Sequence, residues 1–160
     1  HSELVWADTI KLNLEEKKVN FNLACIYDFL NLDEKIFLSE NIYLQNIIQN
    51  NSYIVNYLAT SPDTVIFCGP KPFNVNPKEF KNEINKYIEL FKTHPKIYIY
   101  NSKIYLLAHS KRQANMIEEV FLSHIFVVMN CPQNIKFLTM SEILDLINRD
   151  DEKYRLKLTE

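Results

Sequence analysis

The sequence predicts an α/β fold: a mixed sheet with a β-hairpin and long amphipathic helices packed on it. Three observations carry the prediction. Ile97 to Tyr100 and Ile104 to Ala108 are runs rich in β-branched and aromatic residues, split by the polar turn Asn101-Ser102-Lys103. Two such runs read as a hairpin, and so short a turn permits only antiparallel pairing. Ala114, Ile117, Phe121, Ile125 and Val128 then recur at helical spacing behind Ser110, an N-cap residue with Gln113 three positions on. Elsewhere, apolar extended runs alternate with amphipathic stretches long enough for helices.

Taken in order, Leu4 to Ile10 is a short candidate strand. Asn13 and Glu16 frame a capping box, and Val19, Leu23, Ile26 and Leu30 lie on one face of the helix that follows. Asp33 to Ser39 is a connector in which Ile36, Phe37 and Leu38 either pack or form a brief strand. Glu40 to Gln49 reads as a helix, interrupted at Asn50-Asn51-Ser52, and Tyr53 to Ala59 as another helical turn or two. Ser61-Pro62-Asp63 reads as a turn, because proline drives the preceding residue out of helical geometry. Thr64 to Cys68 is a continuous apolar run and reads as a buried strand. Gly69-Pro70-Lys71-Pro72 breaks it, and Phe73 to Val75 reads as an edge strand.

Asn76, Pro77 and Glu79 predict a helix start, with Phe80, Ile84, Tyr87, Ile88 and Phe91 as its apolar stripe. After the hairpin and its helix, Cys131-Pro132 is a stop and Ile135 to Leu138 an extended piece. Thr139 and Glu142 frame a last capping box, with Ile143, Leu144 and Ile147 facing inward. Residues 150–160 read as solvated, with room for a further helical turn.

The chain has 160 residues, 47% hydrophobic and 12% aromatic, and residues 1–160 are read as one α/β domain. A net charge of -2 gives no electrostatic ground for nucleic acid as a partner. No apolar run is long enough for a transmembrane helix, so no membrane partner is expected. Cys25, Cys68 and Cys131 are odd in number and form no CxxC pair, which fits buried thiols in a reducing, cytoplasmic setting. The chain holds a single glycine, Gly69. Phosphate-cradling P-loops, GxGxxG turns and GxSxG nucleophile elbows all need more than one, so those chemistries are excluded.

Three segments together resemble a known family. They are Ser61 to Pro72 (Ser-Pro-Asp-Thr-Val-Ile-Phe-Cys-Gly-Pro-Lys-Pro), Pro95 to Asn130, and Ser141-Glu142-Ile143 with Glu152 to Leu158. The resemblance is to the C-terminal part of long class II aldolase/adducin-type proteins, the rhamnulose-phosphate aldolase-like forms, and covers about two thirds of the chain. His1-Ser2-Glu3-Leu4-Val5 is similar to the family's Asn-His-Gly-Leu segment, whose histidine is a zinc ligand. Here the asparagine is absent and Ser2 stands for glycine.

The resemblance implies a C-terminal fragment of a longer protein, residues 1–35 belonging with an upstream aldolase domain. The parent would be a cytoplasmic homo-oligomer and a zinc-dependent lyase acting on a small sugar or sugar phosphate. The family's His-x-His pair and carboxylate base fall upstream, so this portion alone lacks most of the catalytic zinc site and no cofactor is expected for it. The alternative is a non-catalytic domain that binds a phosphosugar or another protein.

No catalytic residue is assigned in this chain. His1 is the candidate metal ligand; an expression-tag remnant would also leave His-Ser. Lys111 and Arg112, beside a helix N-terminus after His109, are candidate phosphate-binding residues, against the plainer reading of a solvated first turn. Lys71, just past an expected strand end, is a third candidate, against the reading of a rigid turn. His124 reads as a core histidine or a ligand. Cys68 reads as a packed thiol or a nucleophile.

A fainter pattern pairs His1 to Ala7 with Asn101 to Leu107: polar turn, apolar strand, capped helix. If it reflects a structural repeat, the chain begins on the second strand of a hairpin.

Overall fold

The computed structural model describes residues 4–6, 34–130 and 136–160. The expected helix after Asn13, the cysteines Cys25 and Cys131, and His1 lie outside the described residues.

Five strands form one mixed sheet in the order β1-β2-β5-β4-β3. They are β1 (Leu4–Trp6), β2 (Lys35–Ser39), β3 (Phe73–Asn74), β4 (Ile97–Tyr100) and β5 (Lys103–Ala108). β1 with β2, β2 with β5, and β4 with β5 are antiparallel, whereas β3 runs parallel to β4. The hairpin turn is Asn101-Ser102, with φ of 51° and 59°. Positive φ at both positions matches the right-handed twist of the strands it joins, so the turn sets the register Tyr100↔Lys103. Lys103, grouped with the turn in the sequence reading, belongs to β5. Ile36, Phe37 and Leu38 resolve as strand. β2 pairs with β5 in the register Ile36↔Leu107.

Side chains alternate across the sheet and both faces are covered. On one face Phe37, Ile97, Ile99, Ile104 and Leu106 pack against α1 (Ile42–Asn50) and α4 (Lys111–Asn130), with Ala114, Ile117, Phe121, Ile125 and Val128 inward as the spacing predicted. On the other, Ile36, Tyr98, Tyr105 and Leu107 meet α3 (Phe80–Phe91) and α5 (Met140–Asn148). A 3-10 turn (Ser52–Asn56) follows α1.

Three expectations are corrected. Thr64 to Cys68 is not a strand but the body of helix α2 (Pro62–Cys68). Ser61 caps it, its Oγ accepting the Thr64 N–H at 3.2 Å; Pro62 sits in the first turn and Asp63 adds a carboxylate there. An apolar run of five has no readable period, and α2 is buried all round because Val65 packs with one core while Ile66, Phe67 and Cys68 pack with the other.

α3 starts at Phe80 rather than Pro77, because Asn76 Oδ1 accepts the Lys78 N–H at 3.2 Å and holds residues 77–79 in a turn. In α5 the buried pair is Ile143 and Leu146, with Leu144 and Ile147 only half-buried. The Thr139–Glu142 capping box that starts α5 forms as read. A final helix, α6 (Asp150–Lys157), folds back over α2. Arg155 Nη2 donates to Asp63 Oδ1 at 2.6 Å, and its guanidinium lies over the Phe67 ring.

Candidate functional site

α2, the 92–96 loop, the end of α5 and α6 enclose a cleft of about 260 Å³. Its floor is apolar: Val65 and Ile66 from α2, Leu146 and Ile147 from α5, Leu156 from α6. Its rim is polar: Lys92, Thr93, Lys96, Asn148, Glu152 and Lys153. An apolar floor with a few convergent polar groups is the usual make-up of a small-molecule site.

Local geometry explains how each group arrives there. Lys92 ends α3 in the left-handed conformation, φ 59°, its N–H bonded to Ile88 O. That turn sends residues 92–96 back to β4 along the cleft. Gly69, φ 78°, closes α2 beside the Lys96 backbone and the Tyr87 hydroxyl. Glu152 and Lys153 come from adjacent positions on α6. Of the rim charges, Lys96 pairs with Glu34 and Glu152 with Arg155 at 3.6 Å, whereas Lys92 and Lys153 make no ion pair with any described residue. Glu152 Oε2 is buried and accepts no hydrogen bond.

Lys96 is held from behind. Its Nζ donates to Glu34 Oε2 at 3.0 Å, and His94 Nε2 lies 3.3 Å from Glu34 Oε1. The His94 Nδ1 faces Pro95 O at 3.0 Å. Glu34 is 4% exposed. Burial works to raise its carboxyl, but the hydrogen bond from His94 and the charge of Lys96 outweigh burial and hold it down at about 2. The hydroxyl of Tyr98, also fully buried, makes no hydrogen bond, and its ionisation is pushed well up by burial and by Tyr87 and Glu34.

The residues singled out in the sequence lie elsewhere. Lys111 and Arg112 are exposed on the first turn of α4, where neighbouring His109 meets Glu160 at 3.4 Å. Lys71 sits in the turn after α2, its carbonyl accepting the Tyr87 hydroxyl at 2.5 Å. None of the three lines the cleft. His124 is a core histidine: buried, with Nδ1 3.1 Å from Thr60 Oγ1, and burial lowers it to about 4. Cys68 donates to Ile117 O at 3.5 Å, and burial pushes its thiol far up, away from nucleophilic use.

A second buried carboxyl, Glu118, accepts from Ser39 Oγ. Burial raises it, with the Ser39 bond opposing.

The described histidines fall in three separate neighbourhoods: His94 with Glu34, His109 with Glu160, His124 with Thr60. Among the described residues, no group of three or more His, Cys, Asp and Glu could hold a metal ion, so they do not fit a zinc centre. No described helix is long and apolar enough to cross a membrane.

No family model, curated protein or solved structure matches the chain.

Sequence reasoning missed Glu34, Lys92, Lys96 and Lys153. The one available signal was His94-Pro95-Lys96, a histidine and a lysine two residues apart at a strand entrance, where both point the same way. Nothing in the sequence tied them to Glu34, some sixty residues earlier. Lys92 and Lys153 look like any exposed helix lysines until α6 folds over α2.

Proposed function

We propose that this chain is a domain of a longer class II aldolase/adducin-like protein, and that its own part is to bind a small sugar or sugar phosphate rather than to break a carbon–carbon bond. One observation carries the reading. The three segments that bear the resemblance converge on the same cleft. Val65, Ile66 and Gly69 come from the first, Lys96 from the second, and Glu152, Lys153 and Leu156 from the third. Segments far apart in the chain meet at one cavity whose rim can take an anion and a hydroxyl.

On this reading the bond-breaking step belongs to the upstream part of the parent, where a bound zinc would supply Lewis acidity. The parent is a homo-oligomeric, cytoplasmic lyase. The described residues of this chain bind and orient, and no zinc step is routed through them.

The test compares this chain with the longer protein on a ketose phosphate. The longer protein is expected to release an aldehyde and to lose that activity when its upstream histidines are substituted. This chain alone is expected to bind the ketose phosphate with no aldehyde formed. A longer protein without retro-aldol activity would sink the reading. So would aldehyde release by this chain alone.

A further inference from the structure

We infer that the cleft is a phosphomonoester site: a phosphate dianion seats among Lys92, Lys96 and Lys153, and a hydroxyl of a short polyol donates to Glu152. This rests on the reading of the chain as a sugar or sugar phosphate-binding domain, and it names the ligand class and the part each residue plays.

Charge is the first argument. A phosphomonoester carries close to two negative charges at neutral pH, and Lys92 and Lys153 bring to the rim two positive charges that no described carboxylate pairs. A neutral sugar would leave those two charges uncompensated. Two of the three lysines make no ion pair with any described residue and are free to turn onto a ligand.

Geometry is the second. Lys96 is positioned by Glu34, which is itself kept paired by His94. If Lys96 leans toward an anion in the cleft, Glu34 is not stranded, because His94 remains 3.3 Å away. Lys96 therefore has a second partner to lean toward while Glu34 keeps its contact with His94.

Glu152 is the third. Its Oε2 is buried and is held by the Arg155 Nη1 charge at 3.6 Å, beyond hydrogen-bond length. A ligand hydroxyl would supply the hydrogen bond that the ion pair leaves unmade. The apolar floor then takes the carbon chain between the two ends. At about 260 Å³ the cleft falls below the range for drug-sized ligands, which limits that chain to a few carbons.

Calorimetric titration of the whole chain tests this with glycerol 3-phosphate, inorganic phosphate and glycerol. Glycerol 3-phosphate is expected to bind best and glycerol not to bind. Lys92→Gln with Lys153→Gln should weaken glycerol 3-phosphate at least tenfold, circular dichroism confirming the fold. Glu152→Gln should narrow the preference over inorganic phosphate at least threefold. Lys111→Gln with Arg112→Gln should change nothing.

Binding of glycerol as tight as its phosphate would overturn the inference. So would unchanged affinity in the Lys92/Lys153 pair, loss of binding in the Lys111/Arg112 pair, or an unmoved preference in Glu152→Gln. The retro-aldol assay is separate. If phosphate esters bind here while the longer protein shows no aldol cleavage, the parent reading fails and the site stands. If cleavage is present but no phosphate ester binds, the site fails and the parent reading stands.

Discussion

Glu34 and His124 are buried ionisable side chains with opposite needs, and both are tuned by their neighbours rather than by sequence position. Glu34 must stay charged to hold Lys96 and His94. His124 must stay neutral to sit against Phe121 and Thr60. Each has a folded-state value below its unfolded one, so each adds stability above its unfolded value that is lost as pH falls. His124 acts first, between about 6.5 and 4, and Glu34 follows, between 4.5 and about 2.

A urea midpoint followed against pH should therefore fall in two stages. His124→Phe is expected to remove the upper stage and leave the lower. Glu34→Gln is expected to lower stability by about 3 kcal/mol at neutral pH, since it breaks a buried pair, and to flatten the lower stage. A single acid transition unchanged by either substitution would refute this assignment. His124's place in the core was legible from its helical spacing, though its Thr60 partner was not, and Glu34 carried no local sign of a partner.

The elements divide by how local their signals are. The Thr139–Glu142 capping box formed as read because all of its atoms lie within one turn. The hairpin formed as read because two turn residues and two β-rich runs settle it. α2 was misread because its signal was ambiguous at short range: Ser61-Pro62-Asp63 marks a helix start as well as a turn, and the apolar run behind it fits either state.

The structure makes Ser61 a working cap, so Ser61→Ala should destabilise the protein by about 1 kcal/mol. The same change in a turn ahead of a strand would cost little, and a loss below a few tenths would count against the helix. The cleft was legible only in part: Val65, Ile66 and Ile147 of its floor were visible as apolar core positions, while Leu156 fell in a stretch read as solvated and the rim depends on where α6 lands.

At the scale of the molecule, stability is unevenly spread. β4 and β5 are buried along nearly their whole length and lie inside the sheet, with helices on both faces. α6 is mostly exposed and held by few contacts: Arg155 to Asp63, Leu156 on the cleft floor, and the Gln113 Nε2 bond to Thr159 Oγ1 at 3.1 Å. Hydrogen exchange should therefore release α6 amides well before those of Ile104 to Leu107. Glycerol 3-phosphate should slow exchange in α6, since the helix forms one wall of the cleft. Equal protection of α6 and β5 would mean that the helix opens only with the whole fold.

The strand order also sets a timetable for synthesis. β2 pairs with β5, and Lys35 lies opposite Ala108. On a ribosome that adds about 5–20 residues each second, β2 waits on the order of 4–15 s for its partner to emerge. Through that wait Ile36, Phe37 and Leu38 have no β5 beside them, and neither the hairpin nor α4 has yet been made. The nascent chain therefore carries the β5-facing edge of β2 unpaired for longer than any other strand edge of the sheet. That interval is when a holding chaperone would matter most, and a slower-translated message would lengthen the exposure.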